Sequence, residues 1–168
     1  MRILFLAFLI LAACEEKKVV EQKTNFGKEE SIALNQQLLE EEEINIDLFL
    51  THHASWKMIK TGTGLRHYIY ENGNGKKPMP GMKVGVIMNV KLLDETVCYE
   101  TPSDMIDEFI VDKSNVETGV QEAIKLMKVG DRAKLIIPAH LAHGITGDMN
   151  KIPPISTLIV DLKLYSAE

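Results

Sequence analysis

From Lys83 to Leu93 the sequence alternates, with Val84, Val86, Met88, Val90 and Leu92 on one side of an extended chain and Gly85, Ile87, Asn89 and Lys91 on the other. Successive side chains of a strand point to opposite faces, so this register commits one face to a core. A second run, Ser156 to Tyr165, turns Leu158, Val160, Leu162 and Leu164 inward in the same way. Long one-faced strands need an apolar cover, and the sequence offers them one core-facing helix. Ser114-Asn115-Val116-Glu117 carries the capping-box pattern of a helix start; Val116, Val120, Ile124 and Met127 then recur on one face until Gly130. Shorter extended runs fall at Leu65 to Tyr70, Thr96 to Tyr99, Asp107 to Val111 and Arg132 to Ile137. Many strands and one short helix predict an α+β domain, residues 64–168, in which an antiparallel sheet wraps that helix.

The N-terminus has a different character. Met1-Arg2 is followed by an apolar run, Ile3 to Ala13, that falls short of the about 20 residues needed to span a bilayer and reads as a secretion signal. It ends in Leu11-Ala12-Ala13-Cys14, which resembles the bacterial lipobox, whose cysteine is lipidated and becomes the new N-terminus. Residues 1–13 are therefore expected to be removed, with the lipid on Cys14 holding the protein at a membrane. Residues 14–28 form a polar tether with little to bury. Residues 29–60 form a helical arm: Glu29 to about His53 lacks Gly and Pro and places Ile32, Leu39, Ile46 and Phe49 near helical spacing, interrupted by the acidic run Glu40 to Glu43. This amphipathic helix reads either as a spacer that lifts the domain off the membrane or as a docking arm, with residues 29–53 supplying a homodimer contact.

Charge and motifs exclude several classes. Lys and Arg number 19 against 24 Asp and Glu, a net charge of -5 without a basic stripe, so no nucleic-acid partner is expected. The sequence contains no Gly-rich phosphate loop, no Gly-x-Ser-x-Gly and no Cys-x-x-Cys. Once Cys14 is lipidated only Cys98 remains, so no internal disulfide can form and Cys98 reads as a small apolar strand residue. His140 and His143 are three apart, but they sit between Pro138 and Gly144 in a loop without a nearby carboxylate pair, and no metal or other cofactor is expected. That loop is itself informative. It runs through Gly, Asp and Asn to the pair Pro153-Pro154 before the last strand, longer than a connection needs, which points to function.

Three blocks then carry a family resemblance. They are Val116 to Met127 with Lys128-Val129-Gly130-Asp131-Arg132-Ala133; Ile137-Pro138-Ala139-His140-Leu141-Ala142-His143-Gly144; and Ile152-Pro153-Pro154-Ile155-Ser156-Thr157-Leu158. In order and spacing, over about a hundred residues, they resemble the FKBP-type peptidyl-prolyl isomerases. With the lipobox and the arm, the chain further resembles the lipoprotein branch of that family, including its gliding-motility-associated members. The resemblance implies an apolar bowl between helix and sheet that holds a prolyl ring, with the two prolines as a rim made rigid by their fixed φ. By position, Val120 stands where a tryptophan floors the bowl, and Val116, Ile152 and Val160 are walls. Met88 replaces a second aromatic wall, and Glu117 contributes its backbone N–H. His143 stands where a tyrosine hydroxyl donates to the substrate, and Cys98 and Tyr99 occupy the positions of a Phe-Asp pair. Tyr99 and His143 are thus the implied catalytic positions, and proline-containing polypeptides, exported proteins among them, the implied clients. Valine in place of tryptophan forfeits aromatic contact and is expected to leave volume under the ring.

Overall fold

The two alternating runs become neighbouring central strands. In a computed structural model that describes residues 27–168, β3 (Lys83–Leu92) and β7 (Leu158–Ala167) pair antiparallel from Val84↔Ala167 to Leu92↔Leu158. The signal segment, Cys14 and nearly all of the tether lie outside the described residues. The remaining strands are β1 (Ile59–Lys60), β2 (Arg66–Glu71), β4 (Val97–Glu100), β5 (Asp107–Ile110) and β6 (Arg132–Ile137). The order across the sheet is β1-β2-β6-β7-β3-β4, and β5 also pairs with β3. Every pairing is antiparallel. One edge of β3 therefore serves two partners in succession, with Lys83 to Val86 against β5 and Asn89 to Lys91 against β4.

The inward residues of β7, Leu158, Val160, Leu162 and Leu164, are all essentially inaccessible to solvent. They share one core with Val84, Val86, Leu135, Ile137 and the buried face of the core-facing helix, residues Thr118–Ile124. Gly119 lets that helix come close to β6, since a Cβ there would stand 2.4 Å from Ile137 Cγ2.

The helix is shorter than its letters predict. It begins at Thr118 and ends at Ile124 rather than running from Ser114 to Gly130, and its N-cap residue Glu117 makes no side-chain cap. The capping box does not form because Ser114 is engaged elsewhere. Its hydroxyl accepts from Ile110 N–H at 2.9 Å, in the turn that leaves β5. Gln121 fixes the join from the helix side: its Oε1 accepts from Asp112 N–H at 3.0 Å and its Nε2 donates to Ser114 O at 3.2 Å.

The N-terminal arm is helical only over α1 (Lys28–His52), which makes the core-facing helix α2; the end of the expected arm, Ile59–Lys60, instead pairs with β2 as strand β1. The apolar stripe of α1 splits along its length. Ile46 is wholly buried against the domain, whereas Ile32, Leu34 and Leu39 remain exposed. At the seat of α1, Arg66 of β2 holds the helix by its guanidinium, with Glu43 at 2.7 Å and Asp47 at 3.1 Å. Burial alone would raise the Glu43 carboxyl, but hydrogen bonds from Lys60 and Arg66 outweigh it and lower its pKa. Among the described residues no helix is long and apolar enough to cross a membrane.

Candidate functional site

The residues expected to line a bowl converge from three strands, one helix and two connecting segments. Val160 lies on β7 opposite Val90 of β3 and Leu135 of β6, and Met88 lies on β3 opposite Leu162. Cys98 comes from β4, Val120 from α2, Val116 from the segment before it, and Ile152 from the loop between β6 and β7. All of them belong to one apolar cluster, Met88 and Val116 as its partly exposed members. Cys98, Val120 and Ile152 are each only 2 % exposed. The volume expected beneath Val120 is therefore not open, because the surrounding side chains close over the smaller residue. A prolyl ring can enter only if the rim yields.

The thiol of Cys98 is inert here. Burial pushes its pKa up, the nearby Asp148 carboxylate adds to the shift, and Sγ rests 3.6 Å from Lys151 O.

The rim is polar and comes largely from the β6–β7 loop. Two short 3₁₀ turns, Ala139–Leu141 and Gly144–Thr146, open it. The chain then doubles back: Asp148 N–H donates to Ile152 O at 3.1 Å and Ile155 N–H to Gly144 O at 2.9 Å. Gly147 permits this crossing, since its φ is +66° and a Cβ would stand 2.3 Å from Ile152 O. Ile155, a β-branched residue at φ +54°, is strained beside the two prolines. The proline ledge is thus held in place by its own loop.

Tyr99 reaches this loop from β4 and donates its hydroxyl to Asp148. The other carboxylate oxygen of Asp148 accepts from Asn150 N–H and Ile152 N–H, both at 2.8 Å. The Tyr99 hydrogen bond, with those two amides, overcomes desolvation and brings the Asp148 carboxyl down to about 2. The same bond raises the Tyr99 phenol. Tyr99 therefore binds the loop rather than pointing a free hydroxyl inward.

His143 stands beside Ala142 of the cluster, with Nε2 3.0 Å from Glu117 Oε1. That nitrogen is shielded from solvent, and its approach to Glu117 lacks the alignment of a hydrogen bond. Glu117 is the N-cap of α2, where backbone amides lack partners within the helix.

Sequence reasoning missed Asp148 and Asn150. Their signal was present in Asp148-Met149-Asn150, since aspartate accepting from the amide two residues on is an Asx turn. It also missed Thr101, whose hydroxyl accepts from Met88 N–H at 3.0 Å and donates to Asp107 at 2.5 Å. This pair steadies Met88 where β3 changes partner from β5 to β4, and no local pattern announces it.

Comparison with known proteins bears on the family and the fold. Residues 74–165 match the family model for FKBP-type peptidyl-prolyl cis-trans isomerases. A probable FKBP-type peptidyl-prolyl cis-trans isomerase FkpA of Neisseria meningitidis serogroup B is 33 % identical over 119 residues, which cover 70 % of this chain and 43 % of that protein. The FKBP-type 22 kDa peptidyl-prolyl cis-trans isomerase of Escherichia coli K12 is 34 % identical over 104 residues, covering 62 % of this chain and 50 % of the relative. The chain thus spans about half the length of these relatives. Among solved structures, FkpA from Escherichia coli matches with a TM-score of 0.68 at 26 % identity, over 83 % of this chain and 64 % of that one. A peptidyl-prolyl cis-trans isomerase from Pseudomonas syringae pv. tomato shares the fold, with a TM-score of 0.67 at 22 % identity over 79 % of this chain and 95 % of its own. By sequence match, fold and the convergence of the cluster residues, this chain belongs to the FKBP-type peptidyl-prolyl cis-trans isomerase family.

Proposed function

We propose that this protein is a prolyl isomerase acting on exported polypeptides at the cell envelope, tethered by a lipid on Cys14 and facing the periplasm. The observation that carries the reading is the convergence of Met88, Cys98, Val116, Val120, Ile152 and Val160 on one apolar cluster; His143, next in sequence to its member Ala142, holds its solvent-shielded Nε2 3.0 Å from Glu117 Oε1 without hydrogen-bond alignment. A shielded nitrogen whose one neighbour is poorly aligned is under-satisfied, and a client carbonyl would complete it. In the tautomer that protonates Nε2, the ring offers a donor to the carbonyl preceding a client proline. The lipobox-like Leu11-Ala12-Ala13-Cys14 supports the anchor. The exposed Ile32 and Leu39, on one face of α1, offer a strip along which two copies would pair.

The chemistry needs no nucleophile. X–Pro bonds isomerise over tens to hundreds of seconds because rotation breaks amide resonance. A dry apolar site that fits the twisted amide better than the planar one lowers that barrier by differential binding. In this chain the prolyl ring would displace the rim and settle against Val120, Val160 and Ile152, with Met88, Cys98 and Val116 closing the sides. His143 Nε2 and the Glu117 amide would orient the carbonyl. Tyr99 would act by holding the loop through Asp148.

A second reading has one observation in its favour. With Cys98, Val120 and Ile152 closed to solvent, a module that binds clients slowly, as a chaperone or as a fixed part of an envelope or motility complex, would show the same packing. A proline-limited refolding assay separates the two. Catalysis at sub-stoichiometric protein, blunted by His143→Ala, is the expected result. Suppression of aggregation only at stoichiometric protein would instead establish the binding module. Retention of membrane association by Cys14→Ala would rule out the lipid anchor.

A further inference from the structure

We propose that Glu42 of α1 is a positioning residue for the loop that carries His143, so that the seating of the arm sets the geometry of the candidate site. The inference rests on the isomerase reading above.

The β6–β7 ladder runs as far as Ile137↔Leu158. It cannot continue in the same way, because the next residue, Pro138, has no N–H to give. The first donors beyond that point, Ala139 N–H and the Thr157 hydroxyl, converge on a single atom from outside the sheet. Glu42 Oε1 accepts from Ala139 N–H at 2.7 Å and from Thr157 Oγ1 at 2.5 Å. Ala139 and Thr157 are both buried, so neither can turn to water for a substitute without the loop shifting. Between them lie His143, Asp148 and Ile152, all the loop residues assigned to the site. One carboxylate oxygen thereby ties together the two ends of that loop.

The arm touches the loop narrowly. A cleft of about 340 Å³ borders Glu42, lined by Asn45, Leu92 and Asp94. Another of about 340 Å³ also borders Glu42, lined by Leu39, Ile145 and Ile155. Leu38 of the arm and Ile155 of the loop line both clefts beside Glu42, whose carboxylate supplies the hydrogen bonds across this junction. What aims it is the next helical turn, where Ile46 is wholly buried and Arg66 grips Glu43 and Asp47. Residues 42, 43, 46 and 47 face the domain together, as a helix places neighbours three and four apart on one side.

The test uses the full chain with Glu42→Ala, Glu42→Gln and, as a control, Glu41→Ala, whose carboxylate accepts from Gln37 on the exposed face of α1. Backbone amide exchange at Ala139 and the kcat and KM for isomerisation of an X–Pro peptide are read for each. Loss of a charge-assisted hydrogen bond predicts about tenfold faster exchange at Ala139 in Glu42→Ala. A displaced loop predicts a kcat lowered about three- to tenfold with KM within about twofold. Glu42→Gln, whose amide oxygen still accepts from both donors, recovers most of both effects, and Glu41→Ala matches the parent. Parental exchange and kcat in Glu42→Ala overturn the proposal, as does a Glu42→Gln variant as impaired as the alanine variant. A parent protein without turnover defeats the isomerase reading instead. In that case Ala139 exchange still decides the clamp, with acceleration sustaining it and parental exchange overturning it.

Discussion

Tyr99 donates its hydroxyl to Asp148 across 49 positions of sequence, joining β4 to the loop that carries the proline ledge. Tyr99 occupies a position where the family resemblance implies an aspartate, and here the carboxylate comes from the opposite side of the rim. The charge has changed address. Asp148 spends it on Tyr99, Asn150 and Ile152, which orders the loop, while His143 sets its solvent-shielded Nε2 beside the Glu117 carboxylate.

The Tyr99→Phe variant follows from this division of labour. Removing the hydroxyl deletes a loop contact and leaves the apolar cluster intact. Amide exchange at Asn150 and Ile152 should quicken about three- to tenfold, the worth of one hydrogen bond. Catalytic efficiency in the peptide assay should change by less than about threefold. A loss as large as that of His143→Ala would mean that the phenol contacts the client directly.

The Asp148 carboxyl supplies a pH signature. Its pKa lies at about 2, down from 3.8, so its hydrogen bonds stabilise the folded loop fully above the unfolded value. That contribution is lost as pH falls through the folded one. Carboxyl NMR should place the Asp148 midpoint near 2, and protection of Asn150 and Ile152 should decline between 3.8 and about 2. Asp148→Asn should abolish the decline, and Tyr99→Phe should move the midpoint upward. An Asp148 midpoint at its ordinary value in the parent would remove the hydroxyl from the account.

The periodic parts of the fold were legible because each strand carries its own evidence. The alternation of Lys83 to Leu93 needs no partner to be read, and the strand Arg132–Ile137 falls where the sequence places it. The start of α2 was misread because Ser114 suits a cap, yet its hydroxyl is claimed by Ile110 N–H from the preceding turn. Val116, Val120 and Ile152 fall within the three blocks of the family resemblance, and the fold brings them into one cluster with Met88, Cys98 and Val160, which lie outside those blocks. Glu42 stayed hidden for a physical reason: its partners lie 97 and 115 positions away, and a glutamate within an acidic run resembles any solvated helix face. Local pattern reports what a residue can do, and long-range packing decides which of those things it does.

Val120 tests whether the hollow is open or filled. The family resemblance makes Val120→Trp look like a restoration, since an indole would floor the bowl. The structure argues the opposite, because Val120 is 2 % exposed within a closed cluster and the added rings have no prepared space. Overpacking of this kind costs about 1–3 kcal/mol, to be read as a lower urea midpoint at unchanged slope. The chain has one natural tryptophan, Trp56, so a Trp56→Phe background lets fluorescence report position 120 alone. A client prolyl ring would draw on the same space, and Val120→Trp should therefore weaken binding of an X–Pro peptide as well. If the variant instead gains stability and its emission is that of a buried indole, the cluster yields to an aromatic ring at little cost, and a prolyl ring would meet an open bowl.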